Sequence, residues 1–293
     1  MGSVTLSGGR RLAYTEAGPP DGAPVLVLHG AIGSPLRVGD DLATVLDALA
    51  IRYVMVSRPG FGASDPVAGR RMTDLAADLG ALADALGLAR FGLVGVSAGG
   101  PYALATAAVL PERLTAVATV GSPSPAYRPW AAPGMSRRAR TALRGIATAP
   151  GVTCGAGGAA VALVRRHPGL LLRAMTLGAD SADRELLHDP ARAEAAVAGF
   201  LAATAGGVRG LVDDYLLSAR PWGFRLEDVT PEVQLWHGAR DTLVPPAHAV
   251  ALAAALPRHR ITFAAGDGHF LFRRRLAAIL GPLAASAREP VRA

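Results

Sequence analysis

The sequence has no lysine and no asparagine, a single glutamine (Gln234) and a single cysteine (Cys154). One cysteine cannot form an internal disulfide, so nothing in the composition points to an oxidising compartment. Without lysine, arginine supplies all 30 basic side chains. Lysine and asparagine have A/T-rich codons, whereas arginine, alanine, glycine and proline have G/C-rich ones, so this composition is typical of a GC-rich genome.

Charged residues are few, and the excess of basic over acidic residues is small. Charged residues make up 18% of the 293 residues, and the net charge is +7 at pH 7. Nucleic-acid binding needs basic residues clustered on one surface, and +7 is dilute over this length. We therefore expect no nucleic-acid partner. The arginine pairs are expected on solvated faces without a function: Arg137 and Arg138, and Arg165 and Arg166.

The composition also excludes global disorder and a collagen-like repeat. Hydrophobic residues form 51% of the chain, enough to bury a large core and to exclude global disorder. The 35 glycines and 22 prolines follow no period, which excludes a collagen-like repeat. The first ten residues contain no apolar stretch like that of a signal peptide, so we expect a cytoplasmic protein.

The longest uncharged run, from Phe91 to Pro111, would pass a hydropathy test for a membrane span. Its composition favours a different interpretation. Residues 91–96 are typical of a short buried strand, residues 97–100 of a sharp turn, and residues 101–110 of an Ala/Leu-rich buried helix. We therefore expect no membrane partner.

The turn reads Gly95-Val-Ser-Ala-Gly99, which fits the pattern G-x-S-x-G. Such a turn presents the serine hydroxyl at the start of a helix, with its backbone strained. Side chains at positions 95 and 99 would collide with the neighbouring strand and helix. The positive end of the helix and the amide of Ala98 would face a developing oxyanion. This context makes Ser97 a candidate nucleophile.

The rest of the chain alternates strand and helix patterns, which predicts a mostly parallel sheet with helices on both faces. The pattern stops between Ser122 and about Val229, where we find only helical stretches. We therefore divide the chain into a core of residues 1–122 and 230–293 and a helical insertion of residues 123–229. The predicted strands number eight: Ser3–Ser7, Arg11–Glu16, Val25–His29, Ile51–Ser57, Phe91–Val96, Ala116–Gly121, Val233–His237 and Arg260–Ala264.

Five segments carry motifs with recognisable spacing: His29-Gly-Ala-Ile-Gly33, Ser57-Arg-Pro-Gly-Phe-Gly-Ala-Ser-Asp65, Gly95–Gly100, His237-Gly-Ala-Arg-Asp-Thr-Leu-Val-Pro245 and Gly266-Asp-Gly-His269. With these motifs the chain resembles the α/β-hydrolase superfamily over nearly its whole length. In the second motif, Ser57 stands where that family usually has aspartate. The resemblance implies an eight-stranded sheet, and the insertion falls after the sixth strand, where that family carries a cap or lid.

A serine nucleophile needs a base within hydrogen-bond reach. His269 follows a predicted strand in a glycine-rich loop near the C-terminus, and the order Ser97, Asp241, His269 is the one expected of this fold. His29 is expected to shape its loop and His237 to be structural. The remaining histidines sit beside Pro, Arg or helix ends, where surface imidazoles are common: His167, His188, His248 and His259.

Asp241 would orient His269, because it lies in a loop directly after a strand. Two rival acids are less suitable. Asp267 is two residues from His269, so their side chains would diverge, and Asp228 precedes its strand. The segment after the sixth strand, Ser122-Pro-Ser-Pro125, offers no acid.

By resemblance, the oxyanion hole would use the backbone amides of Ala98 and Ala31, with Ile32 as the alternative to Ala31. We expect the substrate pocket to include Ile32, Trp130, Leu243 and Phe270. Apolar residues of the insertion favour a partly hydrophobic acyl group, although the same leucines could simply pack the insertion: Leu163, Leu170, Leu171 and Leu172.

A serine nucleophile attacks carbonyl carbon, whereas relatives that open epoxides or displace halide carry aspartate at that position. The sequence therefore predicts a serine hydrolase for an ester, thioester or lactone of a small molecule. Two alternatives stay open: perhydrolysis or C–C or C–N cleavage on the same three residues, and a non-catalytic ligand-binding homologue. We expect no cofactor and no metal, since no P-loop, dinucleotide fingerprint or metal-ligand spacing occurs. The oligomeric state stays open.

Overall fold

A computed structural model describes residues 1–31, 33 and 40–288. It contains one eight-stranded sheet in the order β1-β2-β4-β3-β5-β6-β7-β8, which confirms the predicted number of strands. The observed strands are β1 (Gly2–Thr5), β2 (Arg11–Ala17), β3 (Ala23–Leu28), β4 (Ile51–Val56), β5 (Phe91–Val96), β6 (Leu114–Val120), β7 (Val233–Gly238) and β8 (His259–Ala264).

The sheet is mostly parallel, as predicted. β1 pairs with β2, and β2 with β4, in antiparallel register, whereas the pairs from β4 through β3 to β8 are parallel. Gly8 and Gly9 turn the first hairpin at φ of 84° and 77°, a region that glycine adopts without strain. Parallel strands place their carboxyl ends at one edge, and the loops there carry the candidate site.

Helices cover both faces of the sheet. The helices outside the insertion are α1 (Asp40–Ala48), α2 (Asp74–Ala85), α3 (Gly100–Val109), α10 (Ala247–Ala255), α11 (Leu271–Arg274) and α12 (Leu276–Arg288).

Successive side chains of β3 point to opposite faces of the sheet and so belong to two hydrophobic cores. Val25 and Val27 pack with residues of α12 on one face, and Leu26 and Leu28 pack with residues of α2 and α3 on the other. Because these four side chains are fully buried, this strand is apolar throughout.

The uncharged run from Phe91 to Pro111 forms β5, a turn and α3, and the strand and most of the helix are buried. No single helix within the described ranges is long and apolar enough to cross a bilayer, although one pair joined at a 119° bend reaches that length and composition together. That pair is Arg137–Thr148 with Pro150–Arg166.

All residues from 123 to 229 are described, and they contain no strand. Their helices are α4 (Arg137–Thr148), α5 (Pro150–Arg166), α6 (Gly169–Thr176), α7 (Ser181–His188), α8 (Pro190–Ala203) and α9 (Arg209–Ser218). Helix α7 has eight residues, and the side chain of Asp180 caps it by accepting a hydrogen bond from the amide of Ala182. The two predicted arginine pairs are exposed.

Candidate functional site

Ser97 lies at the tight turn between β5 and α3, with φ of +51°. A positive φ is rare for a residue other than glycine, and it stores strain that the surroundings must hold. Residues 97–99 form one 3-10 turn that leads directly into α3. The serine hydroxyl is therefore held at the carboxyl edge of the sheet.

Gly95 and Gly99 flank Ser97, and, as expected from the sequence, neither position has room for a side chain. A Cβ at Gly95 would lie 2.6 Å from Cα of Gly100, and a Cβ at Gly99 would lie 2.9 Å from the carbonyl oxygen of His29. Both distances are below van der Waals contact, so a side chain at either position would push the helix or the end of β3 away from Ser97.

The structure brings the three predicted catalytic residues together. Nε2 of His269 lies 3.0 Å from Oγ of Ser97, and Nδ1 of His269 lies 2.7 Å from Oδ2 of Asp241. The other oxygen of Asp241 accepts hydrogen bonds from the amides of Leu243 (2.9 Å) and Val244 (2.8 Å). Four polar contacts thus align a hydroxyl, an imidazole and a buried carboxylate.

This geometry fixes the tautomer of His269. A carboxylate only accepts hydrogen bonds, so Nδ1 carries the proton, and Nε2 is free to accept the proton of Ser97 Oγ. Burial, the largest single effect, disfavours the imidazolium, but the charge and hydrogen bond of Asp241 together with the charge of Asp183 outweigh it, and the pKa of His269 is raised above its ordinary value. The arrangement suits a base that must become cationic during reaction.

The rival acids do not contact His269. Asp267 is buried and bound by two guanidinium groups, those of Arg275 (2.6 Å) and Arg274 (3.0 Å). Asp228 lies in a 3-10 turn ahead of β7, away from the carboxyl edge.

Asp183, which no feature of the sequence places at the site, contacts the loop that carries His269. It lies on α7 of the insertion, and its carboxylate accepts hydrogen bonds from the amides of His269 (2.8 Å) and Phe270 (3.0 Å). No motif signals such a contact, because the donors are main-chain groups in a loop distant in sequence.

The predicted oxyanion amides lie on the two segments that meet at Ser97. Ala98 follows Ser97 in the turn, and Ala31 follows Gly30, whose Cα is so close that a Cβ there would lie 3.4 Å from Cβ of Ser97. Ile32, the alternative to Ala31 and a predicted pocket residue, lies outside the described residues.

His29 shapes its loop, as expected. Its Nε2 accepts a hydrogen bond from the amide of Arg58 (3.2 Å), so its Nδ1 donates to the carbonyl of Gly30 (2.7 Å). The Arg58 guanidinium donates to the carbonyls of His29 and Gly30. Burial, and then the Arg58 charge, lower the pKa of His29 to about 3, so the ring stays neutral.

Arg58 is itself fully buried and paired with Asp214 of α9. The carboxylate of Asp214 also accepts hydrogen bonds from Arg70 and from the hydroxyl of Tyr102 (2.6 Å) on α3. Burial raises the pKa of Asp214, but Arg58 and Arg70 outweigh burial and hold it below its usual value. A buried charge network therefore connects the insertion to the loop after β3.

His237 is structural, as expected: its Nε2 donates to the carbonyl of Val244 (2.7 Å) in the Asp241 loop. The expectation that His248 is a surface imidazole is wrong. His248 is buried at the start of α10, because the segment after β6 folds over it. Its Nδ1 accepts a hydrogen bond from the amide of Ser124 (3.0 Å), and Tyr127 packs against its ring.

The three predicted pocket residues that the structure describes lie in different environments. The ring of Phe270 stands edge-on to the imidazole of His269 at 5.7 Å, and Leu243, in the Asp241 loop, is 38% exposed. Trp130 is half-buried in the insertion beside the guanidinium of Arg128. Of the four leucines considered earlier, Leu171 and Leu172 pack within the insertion, and Leu163 and Leu170 are exposed.

No group of three or more His, Cys, Asp or Glu side chains that could hold a metal ion occurs in the part of the chain that the structure describes.

Comparisons with known proteins agree with this architecture. Residues 23–150 match the family model described as alpha/beta hydrolase fold. A proline iminopeptidase from Xylella fastidiosa is 36% identical over 117 residues, 39% of this chain and 37% of that protein. A non-heme chloroperoxidase from Streptomyces lividans is 40% identical over 103 residues, 34% of this chain and 36% of that protein. The chain therefore matches less than two fifths of the length of either relative.

Solved structures match almost the whole chain. An alpha/beta hydrolase fold protein from Nakamurella multipartita is 25% identical and superposes with a TM-score of 0.67 over 97% of this chain and 99% of that one. An esterase from Exiguobacterium antarcticum, at 18% identity, reaches a TM-score of 0.69 over 99% and 100% of the two chains, a likeness of fold alone.

Proposed function

The chain belongs to the α/β-hydrolase superfamily, and we propose that it is a serine hydrolase that cleaves a carboxylic ester, thioester or lactone of a small, partly apolar molecule. The observation that carries the proposal is the 3.0 Å separation between Oγ of Ser97 and Nε2 of His269, whose Nδ1 is bound to Asp241. Hydrogen-bond reach between a nucleophile and an oriented base is what acyl transfer to water requires.

In the proposed reaction, Nε2 of His269 takes the Ser97 proton as Oγ attacks the carbonyl carbon. The tetrahedral intermediate collapses when His269 returns that proton to the leaving oxygen or sulfur, which leaves an acyl group on Ser97. Water then attacks the acyl-enzyme with His269 again as base, and the acid product leaves with Ser97 restored.

Two electrostatic contributions stabilise the transition states of this reaction. The Asp241 carboxylate stabilises the imidazolium that forms at His269, and the amides of Ala98 and Ala31 are proposed to donate to the oxyanion. Removing one such amide typically costs about 3 kcal/mol of transition-state stabilisation. The proposed donor Ala31 directly follows Gly30, whose carbonyl accepts hydrogen bonds from His29 and Arg58.

We assign the insertion of residues 123–229 to the role of a lid that shapes the acyl pocket. Support comes from the contact of Asp183 with the His269 loop and from the apolar surfaces of Phe270 and Leu243 beside the catalytic groups. An apolar wall with few polar groups suits a substrate of the same character.

The two curated relatives give a second candidate for the same three residues. The similarity to a proline iminopeptidase favours C–N hydrolysis, with an amine as the leaving group. The similarity to a non-heme chloroperoxidase favours attack of hydrogen peroxide, instead of water, on the acyl-enzyme, which would release a peracid.

A substrate panel tests these alternatives. We expect p-nitrophenyl esters of short and medium acyl chains to be hydrolysed, and the Ser97→Ala variant to lose turnover while keeping its cooperative unfolding transition. Turnover of a prolyl p-nitroanilide without ester turnover would favour C–N hydrolysis. Peracid formation from acetate and peroxide without ester turnover would favour perhydrolysis. A Ser97→Ala variant that retains near-wild-type activity would contradict all the enzymatic candidates.

A further inference from the structure

The contact between Asp183 and the His269 loop joins the insertion to the proposed catalytic base. Oδ2 of Asp183 accepts a hydrogen bond from the amide of His269 (2.8 Å), and Oδ1 accepts one from the amide of Phe270 (3.0 Å). Asp183 is 4% exposed, so both bonds form away from bulk water. Hydrogen bonds from amides to a buried carboxylate are among the stronger ones in proteins. They fix the main chain from which the imidazole extends.

Gly268 leaves the space that this carboxylate occupies. A Cβ at position 268 would lie 2.5 Å from Cγ of Asp183, well inside van der Waals contact. On another side of the same loop, a Cβ at Gly238 would lie 2.6 Å from the carbonyl oxygen of Asp267. The loop that carries His269 is therefore packed tightly between the end of β7 and helix α7.

We propose that Asp183 is a positioning residue for this reaction: it holds the His269 main chain so that the imidazole stays in reach of Ser97, and its charge favours the imidazolium. The inference rests on the proposed hydrolase function. It makes the insertion part of the machinery that orients the base, in addition to a wall of the pocket.

The charged and titratable groups around His269 come from three elements. Asp241 lies on the loop after β7, Asp183 on α7, and His237 at the end of β7, where its Nε2 is 3.6 Å from Oδ2 of Asp241. Burial lowers the pKa of His237, which keeps that ring neutral. Burial also opposes protonation of His269, whereas Asp241 and then Asp183 raise its pKa. Asp183 is thus the second carboxylate that acts on the base.

The Asp183→Asn variant tests the proposal in the full chain. An asparagine amide can accept one of the two backbone hydrogen bonds but turns a donor toward the other, and it removes the charge. We expect kcat to fall by about ten- to a hundredfold with a smaller change in KM, since a displaced base weakens the transition state. The acid limb of kcat/KM should move to lower pH by roughly half a pH unit, because His269 loses a nearby negative charge.

Glu185→Gln is the matched control. Glu185 lies on the same helix, its side chain is 79% exposed, and its carboxylate is 3.9 Å from Arg274. This variant removes the same charge from α7 without touching the His269 loop, so its pH profile should coincide with that of the wild type. Asp183→Asn with wild-type kcat and an unmoved acid limb would overturn the proposal.

Gly268→Ala separates the hydrogen bonds from the charge. The added methyl group displaces the Asp183 carboxylate from the two amides but keeps its charge nearby. We expect kcat to fall while the acid limb moves less than in Asp183→Asn. If Asp183→Asn does not fold, Gly268→Ala decides. A variant with a lower melting temperature but unchanged kcat would show a merely structural role and overturn the inference.

An NMR titration of the His269 ring distinguishes failure of this inference from failure of the proposed function. It needs no substrate, so it reports on Asp183 even if the wild type hydrolyses no ester. We expect a lower His269 pKa in Asp183→Asn than in wild type and Glu185→Gln. Equal pKa values in all three proteins would overturn the electrostatic part of the proposal, whatever the enzyme assays show.

Discussion

Asp214 on helix α9 accepts hydrogen bonds from both Nε (2.9 Å) and Nη2 (2.7 Å) of Arg58, 156 residues earlier in the chain. Arg58 is fully buried and also donates to the carbonyls of His29 and Gly30, next to the proposed oxyanion amide of Ala31. One carboxylate of the insertion is therefore paired with the cation that binds the carbonyls of the loop after β3.

Asp214→Ala should strongly destabilise the protein. It leaves Arg58 and Arg70 buried without their carboxylate, and breaking a buried pair in this way typically costs about 3–5 kcal/mol. Urea unfolding measures the loss. The neighbouring Asp213→Ala, which removes an i,i+4 pair with the exposed Arg209 side chain, should change the free energy of unfolding far less, because solvent screens an exposed ion pair. Equal effects of the two variants would contradict the network.

Asp241→Asn should lower kcat by about 10⁴-fold while leaving the fold intact. The amide would donate to Nδ1 of His269 and so favour the tautomer that places a proton on Nε2, where it cannot act as base. Steady-state kinetics on the ester found in the substrate panel measures this. Asp267→Asn is the control, because Asp267 binds Arg274 and Arg275 instead of His269. If Asp267→Asn gave the larger loss of kcat, the assignment of the acid would be wrong.

Gly95→Ala should destabilise the protein by about 1–3 kcal/mol, the usual range for overpacking, and should reduce turnover, because the new methyl group collides with α3 below Ser97. Gly158→Ala is the opposite case. Gly158 lies in α5, exposed and with no atom within 4 Å of a built Cβ, so alanine should stabilise it by about 0.5–1 kcal/mol. Melting temperatures of both variants test the pair, and a tolerated Gly95→Ala would contradict the tight packing of the turn.

Acid should destabilise the fold well above the range in which carboxylates titrate. Burial, and then Arg58, lower the pKa of His29 to about 3, and burial, and then His237, lower that of His248 to about 4. In the unfolded chain both titrate near pH 6.5, so between pH 6.5 and 4 the unfolded state binds protons that the folded state does not. Each ring then removes about 1.4 kcal/mol of stability per pH unit as pH falls.

The pKa of His269 is raised, so that ring adds stability below its folded pKa and offsets part of the loss. Urea unfolding at pH 7.5 and pH 5 measures the balance. The wild type should be less stable at pH 5, and His248→Gln should show a smaller decrease. An identical pH dependence in the variant would show that His248 is not buried in its neutral form.

The sequence predicted the parts of the site that have a local signal. Ser97 follows from the glycines that its turn requires, and His269 and Asp241 follow from their places in loops after strands. Asp183 could not be predicted, because it lies on a short helix and binds backbone amides, which no side-chain pattern marks. The Arg58–Asp214 pair joins segments 156 residues apart, and the burial of His248 depends on how the segment after β6 folds back.

The most direct test of the central claim is the reaction of the folded protein with a fluorophosphonate, followed by mass spectrometry of its peptides. An activated serine forms a covalent phosphonyl adduct that a free hydroxyl does not form at a comparable rate. We predict one adduct on the peptide that contains Ser97, none in Ser97→Ala, and much slower labelling in Asp241→Asn. An unlabelled wild type, or an adduct on a different serine, would contradict the account.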